Sequence, residues 1–352
     1  MKHIVIYVSD HGYGHASRSV ALVRSLIQKK KFEITIKNST AYNFLKTSLP
    51  DIKIDKIKTD VGPIYDWSLN KVDTATTFNN YLQFISNEER WILHESEVLK
   101  KKKPDLIITD ISPMALRLAK KIKCPTISIA NFSWIDILDK LSYDKNKIDV
   151  ISWLEESFSF SDLAIKLPLS MNLCGFSNIK ESALLSRQKT KTRKKIINSL
   201  KLKTFPVSCY LADYNTKIIK NNYNTNVINL SNGNLVLNDR KIKKEFYEGQ
   251  NIISISQLVI AKIGYGIISE CLKFKCPMIL VSRGNYPENE SLRKEIKKFS
   301  IGKIIDVEKS YDGIEIPTIE QIYDLNMHIN KKSIQDLEKK PKVSQLIIDF
   351  LK

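Results

Sequence analysis

The sequence predicts an α/β protein built from two doubly wound, Rossmann-like domains that face each other. At 352 residues the chain is long for one compact domain and natural for two. Apolar strand-like runs alternate with amphipathic helical patterns, which is typical of parallel sheets covered by helices. The pattern Gly-Tyr-Gly-x-x-Ser occurs at Gly12–Ser17 and again at Gly264–Ser269. Each copy follows a strand-like run and opens a helical one, so each half of the chain contains the strand–turn–helix unit with which nucleotide-binding domains begin.

The first domain is predicted to span residues 1–180. Its elements are predicted as a strand at 3–9, a helix to about 28, a strand at 33–38, a helix at 41–49, a strand at 51–58, a long loop with short helical parts at 61–84, a helix at 88–102, a strand at 104–110, a helix at 112–123, and strands at 124–130 and 163–167. Asp110 and Asn131 end two of these strands. Open α/β sheets bind ligands at this edge, so both are candidate ligand-side residues. The alternatives are a helix cap for Asp110 and a turn former for Asn131.

The second domain is predicted to span residues 181–352. Its elements are predicted as a basic helix at 189–203, strands at 206–211, 257–261 and 277–282, a helix from about 267, and helices at 319–329 and 333–351. The last helix is a candidate to cross back to the first domain.

The second glycine-rich turn is a candidate phosphate site. A turn at a helix N-terminus offers free backbone N–H groups and the positive end of the helix dipole, and Gly264, Tyr265 and Gly266 form such a turn. The alternative is that the glycines only permit a tight turn. Glu270 lies one helical turn further on, where its carboxylate can accept bonds from a sugar diol; the alternative is an ordinary exposed residue. Serine replaces the third glycine of the dinucleotide fingerprint in both copies, which disfavours a nicotinamide enzyme.

The charge balance is strongly basic, with 56 Lys and Arg against 38 Asp and Glu, a net charge of +18. Three kinds of anionic partner could account for the positive charge: nucleic acid, an anionic membrane surface or an anionic substrate. The alternative without function is that AT-rich coding makes lysine abundant. The basic runs lack interleaved aromatic residues, so no nucleic-acid partner is predicted and a peripheral contact with anionic lipid is favoured. No apolar run approaches the ~20 residues that span a bilayer. The five cysteines form no Cys-x-x-Cys pair, and the first strand begins at once, so we expect a cytoplasmic protein without zinc or disulfides.

Four segments together resemble one family. They are His11–Arg18, Asp105–Pro113, Asn131–Trp134, and Lys262–Glu270 with Pro287-Glu288-Asn289-Glu290. The chain resembles the GT-B glycosyltransferases around the UDP-N-acetylglucosamine transferase of peptidoglycan synthesis. It is most similar to the glycosyltransferase-like N-terminal region of plant L-arabinokinases and its free-standing microbial relatives. The resemblance implies a GT-B fold whose second domain binds a nucleotide sugar, with UDP as the favoured nucleotide, and whose first domain binds the acceptor.

The resemblance also implies roles for single residues. Glu270 would hold the ribose, Gly264, Tyr265 and Gly266 would face the diphosphate, and Glu288 and Asn289 would touch the hexose. The acceptor side would include His11, Gly12, Gly14, Arg18, Asp110 and Asn131. The chain departs from the family at Leu211–Asn215, where relatives carry a glycine-rich loop.

Glycosyl transfer needs a base for the acceptor hydroxyl and positive charge for the departing diphosphate. His15 is the candidate base, and its alternative is a structural histidine bonded to loop backbone. Lys262 and Arg283 are candidates to stabilise the leaving group, and their alternative is an ordinary surface role. No Asp-x-Asp pair is present, so a reaction without metal or cofactor is predicted. The acceptor is left open as a glycan, a lipid-linked molecule or a small molecule. Other candidate functions are a nucleotide-sugar epimerase or hydrolase and a catalytically silent nucleotide-sugar-binding protein.

Overall fold

The computed structural model describes residues 1–29, 32–66, 71–211, 218–219, 226–231, 234–238, 240–242, 248–282, 286–306 and 314–352. The chain divides into two compact units. The first unit comprises Met1–Leu185, Asn285–Ser291 and Lys339–Lys352, and the second comprises Ser186–Gly284 and Leu292–Glu338. The separation therefore lies between Leu185 and Ser186, where the sequence predicted a boundary near residue 180.

The first unit contains a parallel seven-stranded sheet, a short antiparallel hairpin, and helices. Its strands are β1 (His3–Val8), β2 (Glu33–Lys37), β3 (Lys53–Asp55), β4 (Tyr65–Asp66), β5 (Lys71–Val72), β6 (Leu106–Asp110), β7 (Thr126–Ala130), β8 (Leu163–Lys166) and β9 (Ile179–Glu181). Its helices are α1 (Tyr13–Lys29), α2 (Tyr42–Ser48), α3 (Thr74–Ser86), α4 (Glu88–Lys100), α5 (Pro113–Ile122), α6 (Trp134–Leu138) and α7 (Lys147–Ser159).

The sheet order of the first unit is β3-β2-β1-β6-β7-β8-β9, and β4 pairs only with β5. Strand β1, His-Ile-Val-Ile-Tyr-Val, is buried along its whole length, as a central parallel strand must be. The chain proceeds from β1 to one side of the sheet and returns to the other side at β6. The switch point of the sheet, where such folds bind ligands, therefore lies between β1 and β6.

The second unit contains another seven-stranded sheet. Its strands are β10 (Val207–Tyr210), β11 (Ile218–Ile219), β12 (Val227–Ser231), β13 (Asn234–Leu237), β14 (Arg240–Lys241), β15 (Leu258–Lys262), β16 (Met278–Ser282), β17 (Lys303–Asp306) and β18 (Ile314–Glu315). Its helices are α8 (Arg193–Leu200), α9 (Gly249–Ile253), α10 (Tyr265–Phe274), α11 (Pro287–Phe299), α12 (Ile319–His328) and α13 (Lys331–Glu338). The first residues of α11 belong to the first unit.

The sheet order of the second unit is β14-β13-β12-β10-β15-β16-β17, and β11 pairs with β18. The pairs of β13 are antiparallel and the other pairs of this sheet are parallel. The switch point lies between β10 and β15, so the turn after β15 occupies the ligand-binding edge of this unit too. Among the described helices of the whole chain, none is both long and apolar enough to cross a membrane.

Three predicted elements were wrong. The segment predicted as a long loop with short helical parts at 61–84 overlaps the 13-residue helix α3, which continues to Ser86 and whose N-terminus is capped by the side chain of Asp73. The strand predicted at 51–58 is reduced to Lys53–Asp55. The single helix predicted at 333–351 is two helices, α13 and α14 (Val343–Phe350), which Pro341 separates because proline cannot continue a helical interior. The second of them packs with the first unit.

Candidate active site

The two strands beside the first switch point bring the glycine-rich turn of α1 next to Asp110. In the parallel register of β1 and β6, Val8 pairs with Asp110. The turn follows β1 directly, and Gly12 has φ +83°, a left-handed conformation that glycine adopts without strain. Asp110 is followed by Ile111 with φ 56°, which is unfavourable for a β-branched residue. Backbone strain of this kind is characteristic of functional sites.

His15, Asp110 and Arg18 form a buried charged cluster at this edge. His15 Nδ1 lies 2.7 Å from Asp110 Oδ1. Arg18 donates from Nε to Asp110 Oδ2 at 2.6 Å and from Nη2 to Oδ1 at 2.5 Å, so it binds the carboxylate with two parallel bonds. The three residues are 3–6% exposed. The alternatives of a helix cap for Asp110 and a backbone-bonded His15 are therefore wrong, since helix α5 is preceded by Ser112 at its N-cap.

The charge of Asp110 determines the tautomer of His15. Burial alone would raise the pKa of Asp110, but the charges and hydrogen bonds of Arg18 and His15 outweigh it and hold the pKa below its usual value. The carboxyl group is therefore ionised and can only accept. Nδ1 therefore carries the proton that lies between it and Asp110, because an ionised carboxylate oxygen at 2.7 Å needs a donor. Arg18 Nη2 also lies 2.8 Å from Nδ1, and in this tautomer it donates to Asp110 Oδ1 instead of to the imidazole. In neutral His15 the lone pair is then on Nε2, which is the arrangement a general base requires.

Asn131 continues the cluster. Its Oδ1 accepts a hydrogen bond from Arg18 Nη1, and its Nδ2 donates to Glu288 Oε1 at 2.9 Å. Asn131 is 1% exposed. Asn131 lies at the bend after β7, and its side chain bonds Arg18 and Glu288, while the next helix, α6, is capped by a reciprocal pair of bonds between Ser133 and Asp136.

His11 and His15 both pack against Trp134. The ring of Trp134 lies 5.2 Å from His11 and 6.1 Å from His15, between centroids. Its Nε1 donates to Asp60 Oδ2 at 3.1 Å, and Asp60 Oδ1 accepts from the backbone N–H of Asp10 at 2.7 Å. A Cβ added to Gly62 would lie 2.3 Å from His11 Nδ1, so the backbone at Gly62 forms one wall of the His11 position.

Asp60 is a second buried carboxyl group near this site. Its pKa is raised to about 7, mainly by burial and to a lesser extent by the neighbouring charge of Asp10. The hydrogen bonds that it accepts act in the opposite direction and lower the pKa. The sequence analysis missed Asp60. Its signal in the sequence is that it stands directly before the long loop predicted at 61–84, because loops of that length in compact domains are often functional.

The second glycine-rich turn lies at the switch point of the second unit. Strand β15 ends at the exposed Lys262, and α10 starts with Gly264 as its N-cap. Gly264 has an extended backbone, and an added Cβ at Gly264 or Gly266 would meet nothing within 4 Å. Neither backbone conformation nor packing against the described residues therefore explains these two glycines. The Tyr265 side chain is buried, at 4% exposure.

Glu270 is 3% exposed, so the alternative of an exposed helix residue is wrong. Arg187 donates from Nε to its Oε1 at 2.6 Å and from Nη2 to its Oε2 at 3.2 Å. Burial would lower the pKa of Arg187, but the charge of Glu270 outweighs it and raises the pKa. Arg187 was missed, because its partner lies far away in the sequence and no local pattern marks it.

The structure gathers the predicted residues into two groups, one in each unit. His11, Gly12, Gly14, His15, Arg18, Asp110 and Asn131 lie together in the first unit, and Lys262, Gly264, Tyr265, Gly266 and Glu270 lie together in the second. Glu288, predicted with the donor residues, contacts the first group through Asn131, and Asn289 follows it, half-buried, in α11. Arg283 and residues 212–215 of the altered loop lie outside the described residues. Among the described residues, no group of three or more His, Cys, Asp or Glu side chains is placed to hold a metal.

Comparison with known proteins agrees with this architecture. The model of the family described as glycosyl transferase family 1 matches residues 2–170 of the chain. Phytolacca americana UGT2, solved with UDP-2fluoro-glucose and pterostilbene, superposes with a TM-score of 0.61 over 99% of both chains, at 8% identity. The chain has the GT-B fold. The likeness to the solved structure shows this fold alone, and the family match is confined to residues 2–170 of the first unit.

Curated relatives of this chain include an L-arabinokinase and an N-acetylglucosamine transferase. The L-arabinokinase of Arabidopsis thaliana is 27% identical over 324 residues, which are 86% of this chain, and this chain spans only 30% of that protein's length. The UDP-N-acetylglucosamine–N-acetylmuramyl-(pentapeptide) pyrophosphoryl-undecaprenol N-acetylglucosamine transferase of Staphylococcus epidermidis is 22% identical over 357 residues, covering 92% of this chain and 90% of that one.

Proposed function

We propose that this protein transfers a hexose from a UDP-linked donor to a hydroxyl group of an acceptor, with His15 as the general base. The observation that carries the proposal is the buried pair of His15 and Asp110 at the switch point of the first unit. A histidine whose Nδ1–H is held by an ionised carboxylate presents the basic Nε2 in a fixed direction. That is what deprotonation of a hydroxyl group requires.

In the proposed reaction, His15 Nε2 takes the proton of the acceptor hydroxyl as its oxygen attacks the anomeric carbon. The bond between that carbon and the diphosphate oxygen breaks, and its electron pair leaves with the nucleoside diphosphate. The imidazolium formed at His15 is stabilised by Asp110, whose low pKa keeps it ionised. Asp110 itself gains no proton. A positioned base of this kind typically contributes about 10²–10⁴-fold to the rate.

The leaving diphosphate is proposed to bind the turn at Gly264, Tyr265 and Gly266. Two glycines with open space around them let a ligand approach the backbone closely, and α10 directs the positive end of its dipole at the same point. Lys262 at the end of β15 adds positive charge. Arg283 is proposed to assist from the segment after β16, as the sequence resemblance implies.

The donor nucleotide is proposed to be anchored at its ribose by Glu270, and the hexose to be contacted by Glu288 and Asn289. UDP is the favoured nucleotide, because the printed name of the Staphylococcus epidermidis relative contains UDP-N-acetylglucosamine and the plant structure holds a UDP sugar. Each carboxylate oxygen has two lone pairs, so Glu270 can keep Arg187 and still accept from ribose hydroxyls.

The acceptor is proposed to be a glycan, a lipid-linked molecule or a small molecule that binds beside His11 and His15, with a peripheral contact to anionic lipid. The excess of basic residues supports the lipid contact. The reaction is proposed to proceed without a metal ion, since backbone N–H groups and basic side chains can carry the charge of the diphosphate.

A ligand screen followed by a turnover assay tests the proposal. Thermal shifts with UDP-, GDP- and dTDP-sugars identify the donor, because a ligand at about 100 times its Kd adds about 2.7 kcal/mol to stability. The best donor, labelled in its sugar, is then incubated with cell extract, with and without a chelator. Label in an organic-phase or larger product supports transfer, and insensitivity to the chelator supports the metal-free route. Release of free or epimerised sugar alone would contradict transfer, as would binding without turnover.

A further inference from the structure

We infer that Glu288, from the second half of the sequence, is a positioning residue of the His15 site. The inference deepens the proposed function, on which its kinetic consequences rest. A continuous series of hydrogen bonds connects the two residues: a part-buried bond from Asn131 to Glu288, and buried bonds from Asn131 to Arg18, Arg18 to Asp110, and Asp110 to His15.

The segment that carries Glu288 belongs structurally to the first unit, although it follows β16 of the second unit in sequence. The described residues of this segment, 286–291, group with the first unit, and Tyr286 packs against the core cluster of that unit, which includes Phe132 and Trp134. Pro287, the first residue of α11, is buried and directly precedes Glu288. The first unit therefore lacks part of its buried network without this segment.

The chemistry of Asn131 explains why Glu288 matters. Its Oδ1 accepts from the guanidinium of Arg18, and its Nδ2 donates to the carboxylate of Glu288. If the amide rotated by half a turn, the NH₂ group would face the guanidinium and the carbonyl oxygen would face the carboxylate. Both contacts would be repulsive, so the amide has one allowed orientation only while Glu288 is present.

Arg18 is held at both ends by this arrangement. Its Nε and Nη2 bind Asp110, and its Nη1 binds Asn131. Loss of the Glu288 acceptor would leave the buried Asn131 Nδ2 without that bond and would free the amide to turn. The guanidinium would then lose the acceptor on Nη1, and the bond that fixes the His15 tautomer would open more often.

The Nδ1–H proton of His15 provides a readout that does not depend on turnover. A proton held between an imidazole nitrogen and a carboxylate resonates far downfield, and a buried one exchanges slowly with water. Its signal is assigned by its loss in His15→Ala. We expect exchange in Glu288→Ala to be faster by about tenfold or more, because a buried donor loses its partner. Glu288→Gln keeps an acceptor oxygen and is expected to stay close to wild type.

Two further variants complete the experiment. Glu290→Ala is the matched control, since Glu290 is an exposed acidic residue in the same helix, and its exchange rate should equal that of the wild type. Asn131→Asp disrupts the same contact from the Asn131 side, because it places a carboxylate against the carboxylate of Glu288. This variant should accelerate exchange of the His15 proton, and it provides a test even if Glu288→Ala does not fold. An unchanged exchange rate in the folded Glu288→Ala or Asn131→Asp protein would overturn the inference.

The kinetic arm separates this inference from the proposed function. With an active donor and acceptor, Glu288→Ala should lower kcat by about tenfold or more, and Glu288→Gln should recover most of it. A change in donor KM alone, with unchanged kcat and exchange rate, would assign Glu288 only to the hexose and overturn the positioning role. If no turnover is found with any donor while exchange responds as expected, the transferase proposal fails and the positioning role stands.

Discussion

Arg187 and Glu270 form a buried two-point ion pair in the second unit, with N–O distances of 2.6 Å and 3.2 Å. Their side chains are 9% and 4% exposed. Glu270, which is proposed to anchor the donor ribose, is thus also the structural partner of Arg187. Loss of Glu270 is expected to affect both protein stability and UDP affinity, and the two effects must be measured separately.

Replacement of Glu270 by Ala is expected to lower the free energy of unfolding by about 3–5 kcal/mol, because it removes the carboxylate that binds the buried, charged Arg187 at two points. Chemical denaturation measures this loss. The double variant Arg187→Met/Glu270→Leu is expected to recover most of the stability, since apolar side chains of similar volume replace the pair.

UDP binding to that double variant isolates the donor role of Glu270. We expect the affinity for UDP to be lower by about one to two powers of ten, because that is the usual contribution of hydrogen bonds to a charged group. Titration calorimetry on the folded double variant gives the value. Wild-type affinity would remove Glu270 from the donor site.

The positions of the central strands and of both glycine-rich turns were predictable because each depends on local sequence. Short apolar runs such as Leu106–Asp110, bounded by turn residues, are typical of central parallel strands, and the turns at Gly12 and Gly264 each open a helix as predicted. Helix α3 was not predicted, because its first turn is rich in threonine, a poor helix former, and its start depends on the cap at Asp73.

The residue types of the site were predictable, but their contacts were not. Asp110 and Asn131 were selected since both follow strands at the ligand-binding edge. That Asp110 accepts from His15, 95 residues away, follows only from the register of β1 with β6. Arg187 and Asp60 belong to long-range contacts of the same kind, and no local periodicity marks them.

Substitution of Gly62 by Ala is expected to displace His11. The new Cβ would lie 2.3 Å from His11 Nδ1, so the imidazole must move away from its place against Trp134. If the acceptor binds beside His11, the acceptor KM should rise with little change in UDP affinity. Steady-state kinetics and calorimetry measure the two quantities.

Gly14→Ala is the steric control for stability. An added Cβ there meets nothing within 4 Å, and Gly14 lies in α1, where alanine is favoured by about 0.5–1 kcal/mol. Gly62→Ala should therefore melt below the wild type and Gly14→Ala should not. Equal melting temperatures and equal acceptor KM values for Gly62→Ala and the wild type would show that His11 is not held as described.

The buried carboxyl of Asp60 predicts a pH-dependent stability. Its pKa in the folded protein is about 7, against 3.8 for the free side chain. The folded state therefore binds the proton more tightly, so this group's contribution is full below about pH 4 and is lost as the pH rises towards 7. The stability of the wild type relative to Asp60→Asn should fall across this window, because the amide does not titrate.

Melting of both proteins between pH 4 and 8 measures that difference, and other groups that titrate equally in both cancel. A difference in stability that stays constant over the whole range would show that Asp60 does not titrate with a raised pKa. A difference that increases with pH in favour of the wild type would contradict the sign.

The most direct measurement of the central claim compares the wild type with His15→Ala for transfer of labelled hexose and for UDP affinity. We expect kcat to fall by about 10²–10⁴-fold while the Kd for UDP stays within about twofold, since His15 acts on the acceptor hydroxyl and belongs to the first unit. Single-turnover transfer with the donor identified by thermal shift, together with calorimetry, gives both numbers. A folded His15→Ala protein with the kcat of the wild type would contradict the account.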